Sequence, residues 1–254
     1  MSNRKTTTEE RHIVIYGYTK QELSALMRHF ESQLPEYVKI SITSSGLVTR
    51  ISMVGVNAAA ELLRFKMNRL HQHLQTIFAE EMVTLEDKTI PQVLGELLRE
   101  RELTVAFAES CTGGNIAHKI TQVPGSSDYF LGSVVSYSND VKANVLGVSR
   151  SSIDRFGAVS KEVASQMATG VSKLMHSDCA IATTGIAGPE GGTKYKPVGT
   201  VWIGVKYNDQ VVTELIHFQG NRNTVIESAT HHGMVMLIKM LRNNYILQEE
   251  IGDE

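Results

Sequence analysis

Apolar positions along this chain follow two rhythms, and the change between them falls near residues 80 to 89. Before the change, the run His12-Ile13-Val14-Ile15-Tyr16 predicts a strand over Arg11 to Gly17. Thr19-Lys20-Gln21-Glu22 then reads as a capping box, opening a helix with Leu23, Leu26, Met27 and Phe30 on one face. Strands are expected over Tyr37 to Ile42 and Leu47 to Val54. Asn57 is placed to cap a second helix running to about Phe78, with Leu62, Leu63, Phe65, Leu70, Leu74 and Ile77 at mostly helical spacing. The order β-α-β-β-α describes a small α+β domain over residues 11–85. Residues 1–10 are polar, carry no period, and read as a disordered leader.

Beyond the charged stretch Glu80-Glu81 and Leu85-Glu86-Asp87-Lys88, strands and helices alternate. A helix carries Val93, Leu94, Leu97 and Leu98, and a strand follows over Leu103 to Ala108. The next helix starts near Gly114 with Ile116, Ala117 and Ile120, and a further strand ends at Val134-Val135-Ser136-Tyr137. Helices are expected over residues 138–146, 149–156 and 160–175, and strands over 179–183, 200–207 and 211–218. A last helix runs from about Asn223 to Leu247, before an acidic tail that frays. Strand–helix alternation implies a parallel sheet covered on both faces, while Asn208-Asp209 reads as the turn of an antiparallel hairpin. The predicted fold is therefore a three-layer α/β/α domain with a mixed sheet over residues 89–248, preceded by the small α+β domain.

Composition narrows the functional classes. The balance of 25 basic and 27 acidic residues gives a formal net charge of -2 and no global attraction to nucleic acid or an anionic surface. The start lacks the apolar core of a signal peptide, and no apolar stretch approaches the roughly 20 residues that span a bilayer, so a soluble cytoplasmic protein without a membrane partner is expected. Cys111 and Cys179 stand far apart without paired metal spacing, so neither disulfides nor zinc is expected. No metal or other cofactor is called for.

Candidate chemistry concentrates in loops at strand ends. Ala108-Glu109-Ser110-Cys111-Thr112-Gly113-Gly114 sets a hydroxyl, a thiol and two glycines between a strand and a helix. Free N–H groups and the positive end of the helix dipole at such a junction attract phosphate or a developing oxyanion, and glycine admits a ligand close to the backbone. Two further segments are of the same kind: Ser138-Asn139-Asp140-Val141-Lys142, and Thr183-Thr184-Gly185-Ile186-Ala187-Gly188-Pro189-Glu190-Gly191-Gly192. Open α/β sheets bind ligands beyond the carboxyl ends of their strands, so these loops point to one pocket. Tight turns would use the same residue types, and Ser126 and Ser127 in Pro124-Gly125-Ser126-Ser127 suit a turn equally well. Cys111 invites a thiol mechanism, but His118 and His231-His232 lack the context of a base for it.

Taken together, Ala108 to Gly114, Gly125 to Ser127, Val135 to Lys142, Gly157-Ala158-Val159-Ser160 and Thr184 to Gly192 continuing to Val201 closely resemble the CinA C-terminal domain family, over roughly residues 89–245. Residues 11–85 resemble the small KH-like domain that precedes this unit in longer members. The front nucleotide-binding domain of those members is not in this sequence, and its pyrophosphatase activity is not carried over. The resemblance implies hydrolytic deamidation of nicotinamide mononucleotide, a pyridine nucleotide, to nicotinic acid mononucleotide and ammonia, within pyridine nucleotide salvage.

By resemblance Ser127 is the nucleophile, Lys142 the base and Tyr137 an aid to proton transfer. Spacing alone leaves Ser126 and Ser127 equivalent. A lysine acts as a base only if burial or a neighbouring cation lowers its pKa. Ser110, Thr112, Gly113, Asn139, Thr184 and Gly185 match positions expected to orient substrate or donate to the oxyanion. Arg222 matches an arginine that could grip the phosphate. Asn221 stands where the family commonly has aspartate, and Ile226 where it has a second basic residue.

The KH-like segment has no G-x-x-G clamp, since Gly17, Gly46 and Gly55 stand singly, so nucleic acid is not an expected partner. A scaffold or dimer contact is the reading preferred for it, and a homo-oligomer is expected. A non-catalytic protein that binds a nucleotide or a partner through the same pocket is the alternative function.

Overall fold

The computed structural model describes residues 6–242, and they fall into two compact units that divide between Thr89 and Ile90. In the first, β1 (Thr7–Tyr16), α1 (Lys20–Ser32), β2 (Val38–Ser45), β3 (Val48–Asn57), α2 (Ala60–Ile77) and β4 (Met82–Thr84) build a four-stranded antiparallel sheet of order β2-β3-β1-β4. The capping box forms: Thr19 accepts from the Glu22 N–H, and the Glu22 carboxylate accepts from the Thr19 N–H at 2.8 Å. Ile13, Ile15, Ile51 and Met53 of the sheet pack with Leu23, Met27, Phe30, Leu63, Met67 and Leu74 of the helices.

Four expectations for this unit are corrected. Thr7 to Glu10, expected within a disordered leader, belong to β1 and pair with Val54 to Asn57; residues 1–5 of that expected leader lie outside the described residues. The boundary region contains β4, too short to show a period, which pairs with β1. In α2 the buried stripe is Leu63, Met67 and Leu74, leaving Leu62 and Phe65 exposed. Its N-cap is Ala59, and Asn57 Oδ1 instead accepts from the Ala59 N–H at 2.9 Å.

The second unit runs α3 (Ile90–Glu100), β5 (Val105–Glu109), α4 (Asn115–Thr121), β6 (Phe130–Val135), α5 (Asn139–Asn144), α6 (Arg150–Phe156), α7 (Lys161–Met175), β7 (Cys179–Gly185), β8 (Thr200–Tyr207), β9 (Gln210–His217) and α8 (Arg222–Leu241). The sheet order is β6-β5-β7-β8-β9, with β5 parallel to β6 and β7, and the β8–β9 hairpin antiparallel. Helix α7 covers one face, while α3, α4 and α8 cover the other. This is a three-layer α/β/α domain with a mixed sheet, preceded by a small α+β unit.

Alanines keep the α7 side thin. Ala106, Ala108, Ala180 and Ala182 meet Val163, Met167, Ala168 and Val171 of α7 in a buried cluster that also takes in Leu146 and Val148. At Gly170, a Cβ would lie 1.9 Å from the Leu146 carbonyl oxygen, so only glycine lets α7 approach the segment just after α5. That contact matters for the site, because α5 carries Lys142.

No helix among the described residues is long and apolar enough to cross a membrane. The final helix is described to Leu241; the continuation expected to Leu247 and the tail lie outside the described residues.

Candidate active site

Strand β5 is wholly buried and hands the chain to a tight turn at its carboxyl end. Gly113 and Gly114 take φ of 61° and 99°, left-handed values that side chains resist, and they swing the backbone into α4. Ser110 sits at the tip of β5, its N–H donating to the Thr183 carbonyl at 3.0 Å, which ties the turn to the neighbouring strand β7. Strand β6 ends beside it: the Ser136 N–H donates to the Glu109 carbonyl at 2.7 Å.

Helix α5 follows at once, capped by Ser138, and aims Lys142 back under the β5 turn. The side chain is only 2 % exposed. Its Nζ donates to Ser110 Oγ at 3.0 Å and to the Ser136 carbonyl at 2.7 Å. Burial removes the water that would stabilise an ammonium, and so pulls the Lys142 pKa below its ordinary 10.5. A Cys111 thiolate would oppose this, but burial pushes the Cys111 thiol up to about 12, so it stays protonated at neutral pH. The same fact makes Cys111 a poor nucleophile.

Around this pair the structure gathers several of the expected residues. Thr112 Oγ1 and Thr183 Oγ1 share a buried hydrogen bond of 2.7 Å. Thr184 is buried at the end of β7 and donates from Oγ1 to the Ala158 carbonyl at 2.7 Å, which binds the loop before α7 to this edge. Gly185 closes β7, where a Cβ would fall 2.7 Å from a Val201 methyl. Tyr137 follows Ser136 and is 64 % exposed. Its hydroxyl accepts from Arg222 Nη2 at 3.0 Å, while Arg222 Nη1 donates to the Gly188 carbonyl at 2.7 Å. Arg222 therefore links the start of α8 to the β6–α5 and β7–β8 loops. Asn139, the first residue of α5, and Gly113, in the β5–α4 turn, are exposed.

Ser127 is not brought to Lys142. It lies exposed in a 3-10 turn, Ser126–Asp128, ahead of β6, and the parallel pairing of Val105 with Phe130 puts that turn at the amino end of β5. Ser110 stands at the other end. Six residues of β6 at about 3.3 Å each separate the two regions by nearly 20 Å. Arg99 of α3 pins the turn there, donating to the Pro124 carbonyl at 2.8 Å and to Asp128 at 3.2 Å. Ser126 shares this position. The hydroxyl paired with Lys142 is that of Ser110, for which the resemblance implied a role in orienting substrate or donating to the oxyanion.

The expected anion cradle at the start of α4 is also corrected. The N–H groups of Gly114, Ile116 and Ala117 donate, each at 3.0 Å, to the carboxylate of Glu109. The protein supplies its own anion at this helix end. Sequence reasoning missed Glu109, although a charge closing an otherwise apolar strand is a visible signal. Among the described residues, no group of three or more His, Cys, Asp or Glu side chains could hold a metal ion.

A mixed α/β sheet bearing a serine–lysine pair at its parallel edge, with glycine-rich loops beside it, defines the class to which this domain belongs. Residues 87–241 match the family model described as the CinA C-terminal domain, and the chain belongs to the CinA family. It is 39 % identical over 234 residues to a CinA-like protein of Flavobacterium psychrophilum, covering 92 % of this chain and 56 % of that one. A CinA-like protein of Endomicrobium trichonymphae is 39 % identical over 223 residues, covering 87 % of this chain and 52 % of the relative. The chain thus spans about half the length of these curated relatives.

Among solved structures, a competence-damaged protein (CinA) superfamily protein from Escherichia coli aligns with a TM-score of 0.59 at 33 % identity, over 62 % of this chain and 94 % of that one. The competence/damage inducible protein CihA from Agrobacterium tumefaciens gives 0.57 at 34 %, over 63 % and 99 %.

Proposed function

We propose that the second unit is a metal-independent amidohydrolase that deamidates nicotinamide mononucleotide, with Ser110 as nucleophile and Lys142 as its base. The observation that carries this reading is the 3.0 Å separation of Lys142 Nζ from Ser110 Oγ in a setting that favours the neutral amine. A serine hydroxyl is a weak nucleophile until a neighbouring base takes its proton, and a desolvated lysine is suited to that task.

In the reaction, Ser110 Oγ attacks the carboxamide carbon while its proton passes to Lys142 Nζ. The ammonium of Lys142 then returns the proton to the amide nitrogen as the C–N bond breaks, releasing ammonia and leaving an acyl ester on Ser110. Water gives a proton to the same amine and attacks the ester carbon; the acyl C–Oγ bond then breaks, and the Lys142 ammonium returns the proton to Ser110 Oγ, freeing the carboxylic acid, which ionises to the carboxylate. The Ser136 carbonyl holds Nζ in line throughout. Thr112 and Thr183 are buried, and their hydroxyls bond to each other, bracing the turn from within. Tyr137 and Arg222 form the exposed rim, where a guanidinium suits the substrate phosphate.

The experiment is incubation of the purified chain with nicotinamide mononucleotide and a chelator, following ammonia and nicotinic acid mononucleotide. Steady release of both in equal amounts is expected. Absence of turnover across neutral and alkaline pH would end the deamidase reading.

A further inference from the structure

Glu109 is fully buried, and its carboxylate collects four hydrogen bonds. One oxygen accepts from the N–H groups of Gly114 and Ile116, both at 3.0 Å. The other accepts from the Ala117 N–H at 3.0 Å and from Ser133 Oγ at 3.1 Å. The side chain thereby locks α4 and β6 to the tip of β5. Its own backbone carbonyl receives the Ser136 N–H, and the Ser136 carbonyl receives Lys142 Nζ. Ser110 is the next residue. A carboxylate is the only ordinary side chain that offers acceptors alone on both oxygens. A glutamine would turn an NH2 group toward either the Gly114/Ile116 pair or the Ala117 N–H, setting donor against donor in a fully buried site.

We infer that Glu109 is a positioning residue for the Ser110–Lys142 pair, acting as an internal anion that fixes both the turn bearing Ser110 and the end of β6 that holds Lys142. The inference rests on the proposed amidohydrolase reading for its activity readout and on Lys142 accessibility for a second, independent one. A buried anion held by three backbone donors sets the turn's geometry, and displacement of reacting groups by about 1 Å can cost 10²-fold in rate.

The test uses the full chain with Glu109→Ala and Glu109→Gln. In Glu109→Ala, kcat for nicotinamide mononucleotide is expected to fall about 10²-fold with KM held within about threefold. Formate should restore part of the rate in a saturable manner by occupying the vacated acceptor position, whereas neutral formamide should not. In parallel, acetylation of Lys142 by acetic anhydride, read by peptide mass spectrometry against exposed Lys161, should be faster in Glu109→Ala and slowed again by formate.

Glu109→Gln keeps the volume, guards against a failure of the alanine variant to fold, and should show the same loss of kcat and faster labelling without any response to formate. Wild-type turnover in either variant, or unchanged labelling of Lys142 in both, overturns the inference. If the unaltered chain hydrolyses no nicotinamide mononucleotide, the deamidase reading fails and the labelling result alone decides the role of Glu109.

Discussion

Two serines compete for one role, and a pair of single substitutions separates them. Ser110→Ala removes the oxygen 3.0 Å from Lys142 Nζ and leaves that amine its bond to the Ser136 carbonyl, so the buried nitrogen keeps a partner. The structural cost is one hydrogen bond, about 1 kcal/mol or less. The catalytic cost is the nucleophile itself, and loss of about 10³-fold or more in kcat is expected, because what remains is binding and polarisation without covalent attack. Ser127→Ala alters an exposed turn at the far end of β6, nearly 20 Å away by the roughly 3.3 Å rise of each strand residue. Its kcat should stay within about twofold and its stability within about 0.5 kcal/mol. The assay is ammonia release from nicotinamide mononucleotide, with urea unfolding alongside to show that both variants are folded. An inactive Ser127→Ala beside an active Ser110→Ala would refute the assignment and the geometric reasoning behind it.

The remaining predictions concern the base, its support and the rim. Because burial holds the Lys142 pKa below 10.5, kcat/KM should rise with pH through a single ionisation below that value. The sign for stability is the same: between the folded and unfolded pKa the unfolded chain binds the extra proton, so stability gained on deprotonation grows as pH rises through that window. Lys142→Met should abolish both effects, measured by a pH–rate profile and by urea midpoints across pH. Gly170→Ala forces a methyl to within 1.9 Å of the Leu146 carbonyl oxygen and should destabilise by about 1–3 kcal/mol, read from the urea midpoint at unchanged slope. Arg222→Ala severs the bonds to Gly188 and Tyr137 and should raise KM for the nucleotide about tenfold while leaving the phosphate-free riboside unaffected; equal effects on both substrates would remove the phosphate contact.

Much of the second unit was legible from its pattern. The strand–helix alternation, the Asn208-Asp209 hairpin and the mixed sheet follow from local periodicity, since burial on both faces writes continuous apolar strands into a sequence. The Thr19 capping box was legible for the same reason: its partners lie three residues apart. Strand β4 was not, because three residues carry no period and its pairing with β1 bridges a long stretch of chain. Nor did spacing reveal that Leu62 and Phe65 of α2 face outward while Met67 faces in.

The sequence by itself determined which residues could do chemistry: a lysine, several hydroxyls and glycine turns at strand ends. Only the tertiary structure decided which hydroxyl meets the lysine. A parallel strand carries the chain from one end of the sheet to the other, so Ser127, close to Lys142 along the chain, lies far from it in space, while Ser110, 32 residues distant, touches it. The folded state likewise turned the α4 amino end from an open anion site into one filled by Glu109, because only there do three backbone donors converge on that carboxylate.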